Sequence, residues 1–213
     1  MKNNALQFGE FTLKSGRVSP YFVNTGLFDD GKSVERLGYF YACRIKDVLD
    51  DKFDVVFGPA YKGIPLAVTV AIALAKNFGI NKKYSFDRKE KKEHADKGPL
   101  CGYKKLKDGE TIILVDDVMT TGGTKEDAVN LLKSLGKFKF GGVFISVDRQ
   151  EVGKEGKSAI KEFEKNYGIS VYSIVNLTEI MEFLHNKEIG GKIYIDDTIK
   201  SKIEAYLEEY GVK

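Results

Sequence analysis

The chain has little of what marks a secreted, membrane-bound or modular protein. Among its 213 residues are two cysteines, Cys43 and Cys101. They show no C-x-x-C or metal-like spacing, which argues against a disulfide framework and a zinc centre and points to reduced thiols in a cytosol, with Cys43 read as core packing. No apolar run approaches the roughly 20 residues of a membrane span, and the N-terminus lacks the apolar core of a signal peptide. A soluble, cytoplasmic protein with no membrane partner is expected. A formal net charge of +3 from 34 bases and 31 acids is too near balance to argue for nucleic acid. Repeats, low-complexity tracts and Pro- or Ser-rich linkers are missing, so residues 1–213 read as a single domain of ordinary size. The P-loop and G-x-G-x-x-G patterns are missing as well, which removes nucleoside triphosphates and dinucleotides as expected ligands.

What is present centres on residues 110–124. Thr111-Ile112-Ile113-Leu114-Val115 has the near-continuous aliphatic character of a central parallel strand buried on both faces. Asp116 and Asp117 are expected to end it. Behind them Val118, Met119, Thr120, Thr121, Gly122, Gly123 and Thr124 lead into a helix expected over Lys125–Leu135, whose apolar positions repeat at helical spacing. Glycines allow close backbone approach, and a helix start offers unpaired N–H groups with partial positive charge, so phosphate fits there. Two carboxylates at the strand's carboxyl end can hold hydroxyls or a hydrated metal. A sugar phosphate asks for both. Two adjacent acids alone are equally a helix-start acid and a solvated neighbour; the hydroxyl and glycine run is what argues otherwise. The segment from Val115 to Thr124 resembles the phosphoribosyl-pyrophosphate (PRPP) signature of the type I phosphoribosyltransferases.

Earlier in the chain, residues 5–24 alternate apolar and polar around Ser15-Gly16 and read as a hairpin, the core of an N-terminal hood over residues 1–30. Phe8, Phe11, Tyr21 and Phe22 offer aromatic surface for a flat heterocycle, although composition favours an ordinary small core under the hairpin. Leu13-Lys14-Ser15-Gly16-Arg17 and Ser19-Pro20-Tyr21-Phe22 resemble the N-terminal pieces of orotate phosphoribosyltransferases. That resemblance implies that Lys14 serves PRPP and orotate, and that the backbone near Phe22 and Val23, with Thr120, holds orotate. Ser33 is a candidate cap for a helix running through Leu49, with Val34, Leu37, Phe40, Tyr41, Ile45 and Val48 on its apolar face.

Strand Asp54–Phe57 ends in Gly58-Pro59-Ala60-Tyr61-Lys62-Gly63-Ile64-Pro65, a rigid loop before an apolar helix from Leu66 to Phe78. A lone lysine there is usually a solvated charge; facing a diphosphate it would act as a compact point charge. The loop resembles the family's diphosphate-binding loop, which places Tyr61 and Lys62 at PRPP. After a short strand at Tyr84–Asp87, residues 88–99 carry bases without apolar periodicity and close on Gly-Pro, as an exposed mobile loop does. A solvated face is the plain alternative. The order Arg88, Lys89, Lys92, His94 resembles the catalytic flexible loop of the orotate enzymes, and implies a homodimer in which this loop reaches the neighbouring subunit's site.

A buried strand over Gly142–Glu151 presents Arg149, which can fork onto a planar carboxylate or pair with Asp148 or Glu151. The resemblance assigns it to the carboxylate of orotate. A helix over Ser158–Tyr167, a strand at Val171–Val175 and helices near Thr178–Asn186 and Ile199–Tyr210 complete the chain without assigned chemistry. His185 reads as a surface group or a helix-dipole partner. The expected architecture is α/β, an open mostly parallel sheet flanked by helices with a small N-terminal hood.

The resemblance implies transfer of 5-phosphoribosyl from PRPP to orotate in pyrimidine synthesis, with Mg²⁺ carried mainly by PRPP and no protein metal site. Its catalytic set is Lys62, Arg88, Lys92, His94, Asp116 and Asp117. Two alternatives stay open: a phosphoribosyltransferase for another base, against which Lys14, Phe22 and Arg149 speak, and a PRPP sensor without turnover, against which the loop bases speak.

Overall fold

A computed structural model of the chain describes residues 3–13, 15–90, 98–119, 123–153 and 156–212. It opens with an antiparallel hairpin, β1 (Leu6–Thr12) and β2 (Val18–Val23), in which Phe8 lies opposite Tyr21. There follow α1 (Gly31–Leu49), β3 (Val55–Phe57), α2 (Gly63–Phe78), β4 (Lys83–Asp87), β5 (Leu100–Gly102), β6 (Thr111–Val118), α3 (Gly123–Leu135), β7 (Lys139–Asp148), α4 (Ala159–Tyr167) and β8 (Val171–Asn176). The chain finishes with α5 (Leu177–Leu184), a minimal hairpin of β9 (Glu188–Ile189) and β10 (Lys192–Ile193), and α6 (Asp197–Tyr210). Six strands form one sheet in the order β5-β4-β3-β6-β7-β8, parallel except for β5 at the edge. This is the expected open α/β sheet.

Both faces of the sheet are covered, and β6 shows why its sequence reads as continuously apolar. Successive strand residues point to opposite faces. Ile113 and Val115 join the cluster beneath α1 and α2 with Leu37, Tyr41, Leu66 and Val70. Ile112 and Leu114 join the cluster beneath α3 and α4 with Val129, Leu132 and Phe163. All four are fully buried, each contributing about 1.5–3 kcal/mol.

Three local expectations shift. The strand does not end at the acids: β6 runs through Asp116 and Asp117 to Val118, because β7 continues beside it, with Asp116 opposite Ile145 and Val118 opposite Val147. On its other side β3 stops at Phe57, opposite Leu114, so β6 has no paired strand on that side at the acids. The cap of α1 is Asp30, not Ser33; its carboxylate accepts from the N–H groups of Lys32 and Ser33 at 3.0 Å each. Phe40 lies outside the apolar face, 43% exposed, with the Arg36 guanidinium 4.7 Å from its ring centre. Strand β5 and the β9–β10 hairpin were not anticipated, although Gly190-Gly191, both at positive φ, is the turn signal for the latter.

The N-terminal hairpin packs with the far end of the chain. Tyr21 and Val23 share a third cluster with Val147, Leu177, Met181, Leu184, Ile203 and Tyr206, joined at its edge by Val118 and Val175. The hairpin thus lies over the carboxyl ends of β6, β7 and β8.

Candidate active site

The acid pair is organised by strand geometry. Adjacent residues of β6 face opposite sides of the sheet, and each acid meets a lysine from the helix on its own side. Asp117 faces the α2 layer, where its Oδ2 is 2.7 Å from the Nζ of Lys62, the residue immediately before α2. Asp116 faces the α3 layer, where its Oδ2 is 2.5 Å from the Nζ of Lys125 in the first turn of α3. The backbone beneath them is held as well. Asp117 N–H donates to Asp116 Oδ1 at 2.9 Å, the Tyr41 hydroxyl donates to the Asp116 carbonyl at 2.6 Å, and Ser146 Oγ donates to the Asp117 carbonyl at 2.5 Å. Burial pushes the Asp116 carboxyl above its usual range, and the Lys125 ammonium opposes that shift.

Lys62 rises from the loop between β3 and α2. That loop folds back so tightly that a Cβ on Gly63 would lie 2.7 Å from the carbonyl carbon of Gly58, which is why glycine stands at both turns. Its amides are tied to β4: Gly58 N–H donates to the Ser85 carbonyl at 3.0 Å and Ala60 N–H to the buried Asp87 carboxylate at 2.6 Å. The Lys62 ammonium, half exposed, also reaches Asn24 Oδ1 at 3.1 Å. A cation at a helix start opposes the helix dipole, and each of these two lysines is offset by an acid of β6. Tyr61 stands beside them, 69% exposed.

Arg149 leaves the sheet one strand over, just beyond Val147, which pairs with Val118. It is 5% exposed. Its Nε and Nη2 donate to Glu151 Oε1 at 2.9 and 2.6 Å, Nη2 reaches Ser19 Oγ at 3.4 Å, and the guanidinium lies 4.7 Å from the ring centre of Tyr21. The Tyr21 hydroxyl donates to the same Glu151 oxygen at 2.6 Å. The pairing with Glu151 that the sequence left open is therefore present, with the arginine buried and the glutamate partly so. Tyr21 is fully buried and is not a stacking surface. Phe22, on the other face of β2, stacks on Phe11 at 5.5 Å, and the side chain of Val23 is buried.

Of the residues singled out from sequence, Lys62, Asp116 and Asp117 meet directly, and Val118, Gly123 and Thr124 flank them. Met119 belongs to the second core cluster, so a ligand would meet only its backbone. Arg88 Nε contacts Cys101 Sγ at 2.8 Å, and Lys89 Nζ lies 3.3 Å from Asp87 Oδ2. Lys14, Lys92, His94, Thr120, Thr121 and Gly122 lie outside the described residues. His185 closes α5 and pairs with Asp197 at 2.8 Å, away from the acids. Missed from sequence were Asn24, Asp87 and Lys125. Only Lys125 left a signal, a charged residue on the stripe of Ala128, Val129 and Leu132. Among the described residues no three His, Cys, Asp or Glu side chains gather into a metal site.

The phosphoribosyl transferase domain family matches residues 28–169. Orotate phosphoribosyltransferase of Clostridium acetobutylicum is 47% identical over 213 residues, covering all of this chain and 95% of the relative. The chain belongs to the orotate phosphoribosyltransferase family. The solved orotate phosphoribosyltransferase of Francisella tularensis matches with a TM-score of 0.82 at 39% identity, covering 99% of this chain and 96% of that one. The Mycobacterium tuberculosis orotate phosphoribosyltransferase in complex with PRPP, at 21% identity and a TM-score of 0.60, shares the fold. Family membership agrees with the signature at Val115–Thr124, and no helix among the described residues is long and apolar enough to cross a membrane.

Proposed function

We propose that this chain transfers the 5-phosphoribosyl group of PRPP to orotate, giving orotidine 5′-monophosphate and diphosphate in pyrimidine synthesis. The observation that carries the choice of orotate is the buried guanidinium of Arg149 at the same sheet edge as Asp116 and Asp117. A neutral purine or uracil has no carboxylate with which to meet it. Glu151 occupies the Nε side of that guanidinium, and its Nη1 side serves the orotate carboxylate. Phe22 and the backbones of Val23 and Thr120 border the ring, with Lys14 between orotate and PRPP.

The reaction breaks the bond between the anomeric carbon and a diphosphate oxygen, whose electron pair leaves with diphosphate, and forms a bond to a ring nitrogen of orotate, whose N–H proton passes to the departing diphosphate. Positive charge grows on the ribose while negative charge grows on the leaving oxygens. Asp116 and Asp117 accept from the ribose hydroxyls and favour the cationic sugar by their field. Lys62 turns from Asp117 to the diphosphate beside Tyr61. Val118 to Thr124, with Thr120, Thr121, Gly122 and Gly123, hold the 5′-phosphate through backbone N–H groups and hydroxyls. Arg88, Lys89, Lys92 and His94 neutralise the departing anion, each preorganised donor being worth on the order of 3 kcal/mol. They act on the neighbouring subunit of a homodimer in the cytoplasm.

The residues suit a magnesium ion carried on PRPP oxygens: two carboxylates whose Oδ2 atoms already meet lysines fit the waters of a hydrated ion, not an all-protein cage. When bound, the ion supplies charge neutralisation at the diphosphate. The test is to incubate the protein with PRPP and Mg²⁺ plus orotate, uracil or hypoxanthine in turn, following absorbance. Consumption of orotate alone is expected. Turnover of another base overturns the assignment of Arg149, and PRPP binding without any turnover points to a sensor.

A further inference from the structure

We infer that Lys125 is a positioning residue of the donor site, holding Asp116 in place from inside the fold and tying the first turn of α3 back to the end of β6. The inference rests on the reading of Asp116 as an acceptor of ribose hydroxyls.

The local geometry is specific. Lys125 is 5% exposed, and its ammonium makes two contacts at 2.5 Å, to Asp116 Oδ2 and to the Val118 carbonyl. The position lies three, four and seven residues before Ala128, Val129 and Leu132, all buried, so an aliphatic side chain would serve there if packing were the only demand. Burying an ammonium costs several kcal/mol unless an anion meets it, and the first turn of a helix is an unfavourable place for a cation. Asp116 is the anion that meets it. With Oδ1 accepting from the Asp117 amide and Oδ2 bound to Lys125, the carboxylate cannot rotate. The second contact matters equally. By bonding the Val118 carbonyl, Lys125 links the two ends of the stretch between β6 and α3, the stretch that receives the 5′-phosphate. The other acid is likewise held at Oδ1, by the Val118 amide at 2.7 Å, but the lysine at its Oδ2, Lys62, is half exposed and approaches from the open side. One lysine is available to the ligand, and the other serves the protein.

The experiment is a double-mutant cycle on the full-length protein, with steady-state KM values for PRPP and orotate measured separately. Lys125→Met is expected to raise the PRPP KM about tenfold or more, the loss typical of a buried charged hydrogen bond, and to leave the orotate KM within about twofold. In an Asp116→Asn background the same change is expected to cost clearly less than in the wild type, because only the tie to the Val118 carbonyl remains to be lost. If Lys125→Met does not accumulate folded, Lys125→Gln, which keeps an amide donor without the charge, carries the same comparison. An unchanged PRPP KM overturns the inference, as do equal losses for both substrates or losses that multiply across the cycle. Wild-type protein assayed alongside separates two kinds of failure. If it does not join PRPP and orotate, the functional reading falls and takes this one with it; if it does, only the role of Lys125 falls.

Discussion

The two halves of the site are built in opposite ways. At the acid pair, nearly everything comes from strand ends and the helix starts that follow them: Asp116 and Asp117 on β6, Lys125 nine residues after Asp116, Lys62 five residues after β3. At Arg149 the surroundings come from the two ends of the chain. Ser19 and Tyr21 arrive from the first hairpin, Glu151 from the strand end, and Tyr206 of α6 packs edge-on against Tyr21 at 6.0 Å. In the first half the Asp116–Lys125 pair belongs to one strand–helix unit, and the Lys62–Asp117 pair joins two neighbouring units of the sheet, 55 positions apart. The second exists only when residues about 130 positions apart close on each other. The acid-pair half is thus built from adjacent units of one sheet, and the Arg149 half from the closure of the chain's two ends.

That contrast is open to attack by mutation. The largest effect is expected from Lys92→Ala, which should lower turnover about a hundredfold while leaving orotate KM nearly unchanged, as steady-state kinetics would read. Normal turnover would remove the loop bases from the donor half. Arg149→Ala comes next, with orotate KM rising by at least about tenfold and PRPP KM nearly constant. Equal losses for both substrates would mean that the two halves are not separate. Tyr21→Phe deletes one hydrogen bond to Glu151 and should lower Tm by about 2–4 °C, corresponding to ~1 kcal/mol, without moving PRPP KM. A raised PRPP KM there would tie the hairpin to the donor half.

The smallest effect concerns Asp148, whose carboxyl burial holds above its ordinary value of 3.8. Because the folded-state value is the higher one, the ionised form is penalised in the fold. The contribution of Asp148 to stability is full below pH 3.8 and is lost as pH rises through the raised value. Asp148→Asn should therefore melt about 1–2 °C above wild type at pH 7, keeping the bond from Gln150 N–H, and the gap should close in acid. A gap that stays constant with pH would show that ionisation is not its cause.

Legibility followed the same division. The β6 aliphatics, the stripe of α3 and the glycine loop after β3 announced themselves by period and punctuation, since each depends on neighbours within a dozen residues. Tyr21 was left between two readings because an aromatic in an alternating strand looks alike whether it faces a ligand or a core, and α6, far along the chain, is what buries it in the core. Asp87 gave no sign, and Glu151 was one of two possible partners for Arg149, because a carboxylate's partner is chosen in space. Lys125 was visible as a charge in an apolar stripe, and only the strand's two-residue alternation, which turns Asp116 toward α3 and Asp117 toward α2, explains it.

By itself the amino-acid order determined the sheet, its helices and the presence of an acid-and-glycine motif at a strand end, because backbone periodicity and turn chemistry act over short distances. Tertiary structure alone decided which lysine answers which acid and which carboxylate holds Arg149. Those choices depend on faces and distances that form only once helices dock on the sheet and the two chain ends meet.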